Sequence, residues 1–200
     1  MSYRNITLER YLKMISEPTA VPGGGSVSAY AGALGSSLAA MAVAITCRKM
    51  KEKGKFRLCS ESRSIFNANW RKLLKLAEED SKSYELVLKA YKIPHYKLDR
   101  RHRINLALVK AAEVPARTMD LCIQNLFQIN RIKHLCPAQI LSDINIGFML
   151  TRNALRGARL NVLVNLESIK DEKMAAALQK RLEYLDKAAE EVLSKLENWV

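Results

Sequence analysis

The sequence predicts an all-α fold, a bundle of about six long helices. Three observations carry that prediction. Apolar residues recur at three- and four-residue steps over long stretches, the signature of amphipathic helices. The 200 residues contain five prolines and eight glycines, three of those glycines adjacent, so turns are few. No stretch alternates apolar and polar residues as a half-buried strand does. A hydrophobic content of 48% is ample for a core. No linker, repeat or low-complexity segment interrupts the chain, so residues 1–200 read as one domain.

The first helix is expected over Thr7–Ile15, with Leu8, Tyr11, Leu12 and Ile15 on one side and Glu17 and Pro18 as its stop. Next comes the organising stretch, PTAVPGGGSVSAYAGALGSSLAAMAVAITC from Pro18 to Cys47, without a single charge. Gly23, Gly24 and Gly25 suit a loop that lets a ligand approach the backbone. Ser26 is a good N-cap, and the amides beyond it would offer an anion or carbonyl site. The Lys of a phosphate-binding loop and the spacing of a dinucleotide fingerprint are both missing. From Ser26 to Cys47 the helix is small or apolar on every side, so it should be buried all round. A membrane span is the competing reading, but Ala, Gly and Ser outnumber the strongly apolar side chains that insertion relies on. Close packing against neighbours or a second subunit is expected instead, with Gly32 and Ala33 at the contact.

A basic turn, Arg48–Lys55, separates this helix from a very long one expected over Leu58–Ile93, which Pro94 ends. The apolar stripe of the long helix is Phe66, Trp70, Leu73, Ala77, Tyr84, Leu88 and Tyr91. Asp80 occupies the stripe position between Ala77 and Tyr84. A buried carboxylate is costly unless it is paired or used. Periodicity alone leaves both readings open, a structural ion pair or hydrogen bond and a functional group.

A polar connector, Ile93–Arg103, carries His95 and His102 as surface residues. The following helix, Ile104–Ile132, has the stripe Ile104, Leu108, Ala111, Pro115, Met119, Cys122, Leu126 and Ile129. Pro115 lies inside it and should kink it or leave a carbonyl free. Pro137 opens a helix over Ala138–Ile169, one face of which reads Asp143, Gly147, Leu150, Ala154, Ala158, Asn161 and Asn165. Such a small, polar face fits a close helix crossing or a pocket wall with Asp143, Asn161 and Asn165 as its polar groups. After a turn at Lys170 and Asp171, the last helix carries the seam Leu178, Leu182, Leu185, Ala189, Val192, Leu196 and Trp199.

Met1–Ser16 has charges and no apolar run, so it is not a secretory signal, and a cytoplasmic protein is expected. Cys47, Cys59, Cys122 and Cys136 lack metal-ligand spacing and read as reduced thiols. The net charge of +13 favours anionic partners. The basic residues are spread, and no aromatic interleaving follows a nucleic-acid module, so nucleic acid is disfavoured. A polyanionic small molecule would be served equally well, and a solvated basic loop at Arg48–Lys55 is the plain alternative.

At this point the stretch from Pro18 to Thr46 resembles the cyclodeaminase/cyclohydrolase family of folate one-carbon enzymes. That family includes formiminotetrahydrofolate cyclodeaminases and methenyltetrahydrofolate cyclohydrolases. The likeness continues through Glu79-Asp80 and Tyr84, Ala90-Tyr91-Lys92-Ile93-Pro94, and Ala111-Ala112-Glu113-Val114-Pro115. It then takes in Ser142-Asp143, Ala154-Leu155-Arg156-Gly157-Ala158, Asn161-Val162 and Asn165-Leu166. The resemblance implies an all-α homodimer with a folate bound near the subunit interface. It carries the glycine loop over to Gly23, Gly24, Gly25 and Ser26, the long-helix carboxylate to Asp80, and the Ser-Asp pair to Ser142 and Asp143. The chain departs from the family at Ser83-Tyr84, usually Ala-Phe, at His95, usually Lys, and at Asn145, usually Gly or another small residue.

The implied chemistry centres on the carbon that bridges N5 and N10 of tetrahydrofolate. A cyclohydrolase adds water to the cationic methenyl carbon and opens the ring to a formyl group. A cyclodeaminase closes N10 onto a formimino carbon and expels ammonia. Both need a proton acceptor and donor beside a tetrahedral centre. Asp80 is expected to shuttle that proton and Asp143 to orient water or the pterin amidine, with Asn161 and Asn165 among the binding groups. No metal or cofactor is required, and a polyglutamate tail on the folate would suit the +13 surface and the Arg48–Lys55 run. The 200 residues leave no room for a formiminotransferase domain, which leans the expectation toward the cyclohydrolase. The alternative of another class is a non-catalytic helical protein that binds an anion or nucleic acid.

Overall fold

A computed structural model describes residues 3–196 and Trp199. The fold is all-α, as the sequence predicts. The helices are α1 (Leu8–Ser16), α2 (Gly24–Arg48), α3 (Lys53–Tyr91), α4 (Arg100–Ile132), α5 (Leu141–Ser168) and α6 (Glu172–Ser194). Short 3-10 turns lie at Tyr3–Asn5, Lys133–Leu135 and Ala138–Ile140. Caps begin two of the helices: Thr7 Oγ1 accepts from the Arg10 amide at 3.2 Å, and Asp171 Oδ1 accepts from the Met174 amide at 3.0 Å. Helix α3 starts five residues before its predicted Leu58 and takes in Lys53–Lys55 of the expected basic turn, Gly54 being tolerated in its first turn. Pro115 sits inside a continuous α4.

The glycine run is not a loop. Gly23 caps α2 in an extended conformation, and Gly24 and Gly25 form its first turn. No glycine among the described residues has a positive φ. Ser26 is therefore not the N-cap; it lies inside the first turn, and its hydroxyl meets the Tyr11 hydroxyl at 2.9 Å.

Helix α2 runs antiparallel to both α3 and α5. Ser36 Oγ donates to the Phe66 carbonyl at 2.9 Å, joining α2 to α3. Toward α5 the backbones themselves touch. A Cβ on Gly35 would lie 2.8 Å from the Gly147 carbonyl oxygen and 3.0 Å from the Thr151 nitrogen. A Cβ on Gly147 would lie 3.1 Å from the Gly35 oxygen. Glycine is required at this crossing because no side chain fits it. The small face of α5 is thus a close helix crossing along most of its length.

Helix α4 lies antiparallel to α3, and Asn69 Nδ2 donates to Asn125 Oδ1 between them at 2.9 Å. Phe66, Leu73, Met119, Leu126, Ile129 and Ile144 fill the centre. Helix α6 closes the bundle over α4 with the predicted seam, and Arg159 of α5 holds Asp186 of α6 through two bonds of 2.8 and 2.9 Å.

Two expectations about packing are corrected. Helix α2 is not buried all round. Val27, Leu34 and Met41 line one outer face, 38%, 49% and 42% exposed. Gly32 and Ala33 do not lie on that face; Gly32 points at Leu73, Cys122 and Ala154, and Ala33 is buried. By length and composition α2 could cross a membrane, but half of its most apolar window is covered within the bundle. On α3 the stripe also turns. Tyr84, Leu88 and Tyr91 face outward, and Ser83, Val87 and Ala90 continue the buried line.

Candidate functional site

The N-terminal turn of α2 forms the floor of a cavity of about 240 Å³. Gly23, Gly24 and Gly25 line it from α2, and Ala20 and Val21 from the segment before. Asp80, Ser83 and Tyr84 come from α3, Ala111 from α4, and Asn161 and Asn165 from α5. Four helices therefore meet at one point, and each contributes through a feature of its sequence.

Asp80 supplies the carboxyl of the cavity. Its carboxylate accepts a hydrogen bond from the Ser26 backbone amide. Burial raises it from the usual 3.8 to about 6, and the Ser26 amide offsets part of that rise. The dipole of α2 adds positive potential at the same turn. Gly25 makes the approach possible, because a Cβ there would overlap the carboxyl group. Of the readings left open by periodicity, the interhelical hydrogen bond is present, from the Ser26 amide of α2, while no ion pair on Asp80 is found among the described residues. Its neighbour Glu79 takes the cations instead, Arg117 at 2.7 Å and Lys75 at 3.6 Å.

The two asparagines stand one helical turn apart. Asn161 Nδ2 donates to the Gly157 carbonyl at 2.9 Å, and Asn165 Nδ2 donates to the Asn161 carbonyl at 2.8 Å. Each side-chain nitrogen spends one hydrogen on its own helix, so each carboxamide offers its oxygen and one remaining N–H. Ala111 adds a backbone oxygen. Pro115, four residues on, has no N–H to give its carbonyl. Among the described residues no Lys or Arg lines the cavity. Its polar groups are one carboxyl, two carboxamides and the first turn of α2, so it sets a single negative charge among neutral donors and acceptors.

The structure brings together Gly23, Gly24, Gly25, Asp80, Asn161 and Asn165, with the Ser26 amide behind them. It does not bring Ser142 and Asp143 to them within one chain. Both lie in the first turn of α5, and 18 residues separate Asp143 from Asn161, about 27 Å of helix. The Arg48–Lys55 run is also remote, since α2 spans roughly 36 Å between Gly24 and Arg48. Sequence reading missed Ala20 and Val21 as lining residues, and it missed the connection from Tyr11 to Ser26. The stripe position of Tyr11 was the one available signal.

Larger hollows exist elsewhere. One of about 380 Å³ lies between α4, α5 and α6, where Arg159 and Asp186 are paired with each other. Another, of about 600 Å³, is an open surface depression beside Arg101, His102 and Lys173. Among the described residues neither is lined by a buried carboxyl. Among the described residues no group of three or more His, Cys, Asp or Glu is placed to hold a metal ion.

The chain is 27% identical over 189 residues to the methenyltetrahydrofolate cyclohydrolase of Methylorubrum extorquens, covering 90% of this chain and 89% of that protein. It is 28% identical over 174 residues to the formimidoyltransferase-cyclodeaminase of Gallus gallus, covering 83% of this chain but 31% of the longer bird protein. The crystal structure of formiminotetrahydrofolate cyclodeaminase from Thermotoga maritima superposes with a TM-score of 0.87 at 25% identity, covering 97% of this chain and 95% of that one. The family model described as formiminotransferase-cyclodeaminase matches residues 7–184, nearly the whole length. The chain belongs to the formiminotransferase-cyclodeaminase family.

Proposed function

We propose that this protein is a folate one-carbon enzyme that hydrolyses 5,10-methenyltetrahydrofolate to 10-formyltetrahydrofolate. The observation that carries the reading is Asp80, a carboxyl raised to about 6 in a cavity that no Lys or Arg lines among the described residues. The methenyl bridge is cationic, and a carboxylate facing it stabilises charge and takes up a proton. Water adds to the bridging carbon and gives one proton to Asp80. Asp80 returns it to N5 as the bond from carbon to N5 breaks. The proton on the new hydroxyl leaves to solvent as the formyl carbonyl forms. Asn161, Asn165 and the Ala111 carbonyl accept from the N–H groups of the pterin. The step uses side chains and water, with no metal or cofactor. Full-length similarity to the bacterial cyclohydrolase supports this choice.

A second reading, formimidoyltetrahydrofolate cyclodeaminase, is favoured by the Thermotoga maritima structure, which matches along 95% of its own length. There Asp80 would donate to the departing ammonia as N10 closes the ring. One assay separates the readings. The protein is incubated with methenyltetrahydrofolate or with 5-formimidoyltetrahydrofolate, and methenyl absorbance is followed. Loss of absorbance in the first supports the hydrolase, and gain in the second, with ammonia released, supports the deaminase. No change in either rejects both.

The working unit is proposed to be a cytoplasmic homodimer. All four cysteines are free thiols, which suits a reducing compartment. Val27, Leu34 and Met41 stand seven residues apart on the outer face of α2, and a second copy of that stripe is the self-complementary cover a two-fold axis provides. Antiparallel pairing centred on Leu34 sets Val27 against the partner's Met41. Within a chain Gly147 packs on Ala39, so Asp143 lies about one turn further along α2. The same pairing brings the partner's Asp143 level with Ser26, and the partner's Arg48 beyond it at the pocket mouth. A second carboxylate and a basic run for a polyglutamate tail would then reach the site from the other subunit.

A further inference from the structure

Two tyrosines outside the cavity lining bond to residues next to its working parts. Tyr11 of α1 is 3% exposed and its hydroxyl lies 2.9 Å from Ser26 Oγ, whose residue is fully buried. The Ser26 amide is the group that binds the Asp80 carboxylate. Tyr3 is 8% exposed and donates to Ser81 Oγ at 2.8 Å, on the residue next to Asp80. The rings support each other: Tyr3 and Tyr11 have centroids 5.3 Å apart, and Tyr11 stacks on Tyr30 of α2 at 4.8 Å. Neither Tyr3 nor Tyr11 lines the cavity. Burial pushes the Tyr11 phenol up to about 12, so it remains a neutral hydroxyl at working pH.

We infer that Tyr11 is a positioning residue of the folate reaction: through Ser26 it fixes the first turn of α2, and so the amide that holds the Asp80 carboxyl toward substrate. Only α1 supplies this link, which gives the N-terminal helix a catalytic purpose that its packing alone does not. Among the described residues no cation orients Asp80, so its aim depends on the Ser26 amide and on the Gly25 backbone. The Ser26 hydroxyl, fully buried, needs the Tyr11 hydroxyl as its partner. Tyr3 braces the ring of Tyr11 rather than the carboxyl itself. The inference rests on the reading of Asp80 as the proton shuttle.

The test is a double-mutant cycle on methenyltetrahydrofolate turnover with the full chain. Tyr11→Phe keeps the ring and removes the hydroxyl, and Ser26→Ala removes the other half. Each single variant is expected to lower kcat about three- to tenfold with KM unchanged, the range of one hydrogen bond. The double variant should be no slower than the slower single, because the two groups act as a unit. Asp171→Ala, which removes the cap of α6 far from the cavity, serves as the stability control. It should lower the melting temperature by a similar few degrees and leave kcat intact. Additive losses in the double variant, an equal kcat loss in Asp171→Ala, or normal kcat in Tyr11→Phe beside an inactive Asp80→Asn would overturn the inference and leave the folate reading standing. Full turnover in Asp80→Asn would overturn both.

Discussion

The Asp80 carboxyl rests against the Cα of Gly25, in the volume a side chain there would fill. This contact joins the middle of α3 to the first turn of α2. It explains the third glycine of the run without recourse to an unusual backbone angle.

Gly25→Ala should therefore displace the carboxyl or unwind the first turn. Turnover is expected to fall at least about a hundredfold, the lower range of what a misplaced acid–base group forfeits. Overpacking should destabilise the fold by about 1–3 kcal/mol. Gly54→Ala is the control, since a Cβ there meets nothing within 4 Å. In the first turn of α3 it should leave activity unchanged and add up to about 1 kcal/mol of stability. Thermal unfolding and steady-state turnover on both variants decide the matter.

Asp80 also couples the fold to pH. Its pKa is raised in the folded state, from 3.8 to about 6, so the folded protein holds the proton more tightly than the unfolded chain. The contribution favours folding fully below about pH 4 and is lost as pH rises through about 6. A shift of that size corresponds to up to about 3 kcal/mol. Asp80→Asn should thus gain stability relative to wild type as pH is raised from 4 to 7. Denaturant melts across that window measure it, and parallel curves for the two proteins would refute the coupling.

Pro115 leaves the Ala111 carbonyl without its helical donor at the edge of the cavity. Pro115→Ala restores that donor. The helix should become more stable, and KM for the folate should rise about three- to tenfold as one acceptor is withdrawn. A more stable variant with unchanged KM would assign Pro115 to packing alone.

Leu34 lies at the centre of the exposed stripe on α2. Leu34→Arg should give a monomer at micromolar concentration by light scattering, with turnover reduced because the partner's Asp143 is withdrawn. A wild-type protein that is itself monomeric and active would remove the dimer from the account.

Much of this architecture is legible in the sequence. Long 3-4 periodicities place α3, α4 and α6 within a few residues, and a carboxylate on an otherwise apolar stripe marks Asp80 before any coordinates. Asn161 and Asn165 are visible as polar members of a small face. Three features are not legible. Gly-Gly-Gly reads as a loop, because glycine's freedom also permits an ordinary helical turn, and what selects it here is a side chain 55 residues away in sequence. The outward turn of Val27, Leu34 and Met41 is hidden because every face of α2 is small or apolar, so periodicity gives no inside. Ser142 and Asp143 look like neighbours of the site in a list of motifs, but the straightness of α5 sets them about 27 Å from Asn161.

The most direct test of the central claim is turnover by Asp80→Asn, with melting temperature and folate binding measured on the same preparation. The isosteric amide keeps the contact with Gly25 and cannot carry the proton. The account predicts an intact helical fold, folate affinity within a few fold of wild type, and methenyl hydrolysis reduced by roughly a hundred- to ten-thousandfold. Turnover near the wild-type rate would contradict it and take Asp80 out of the chemistry.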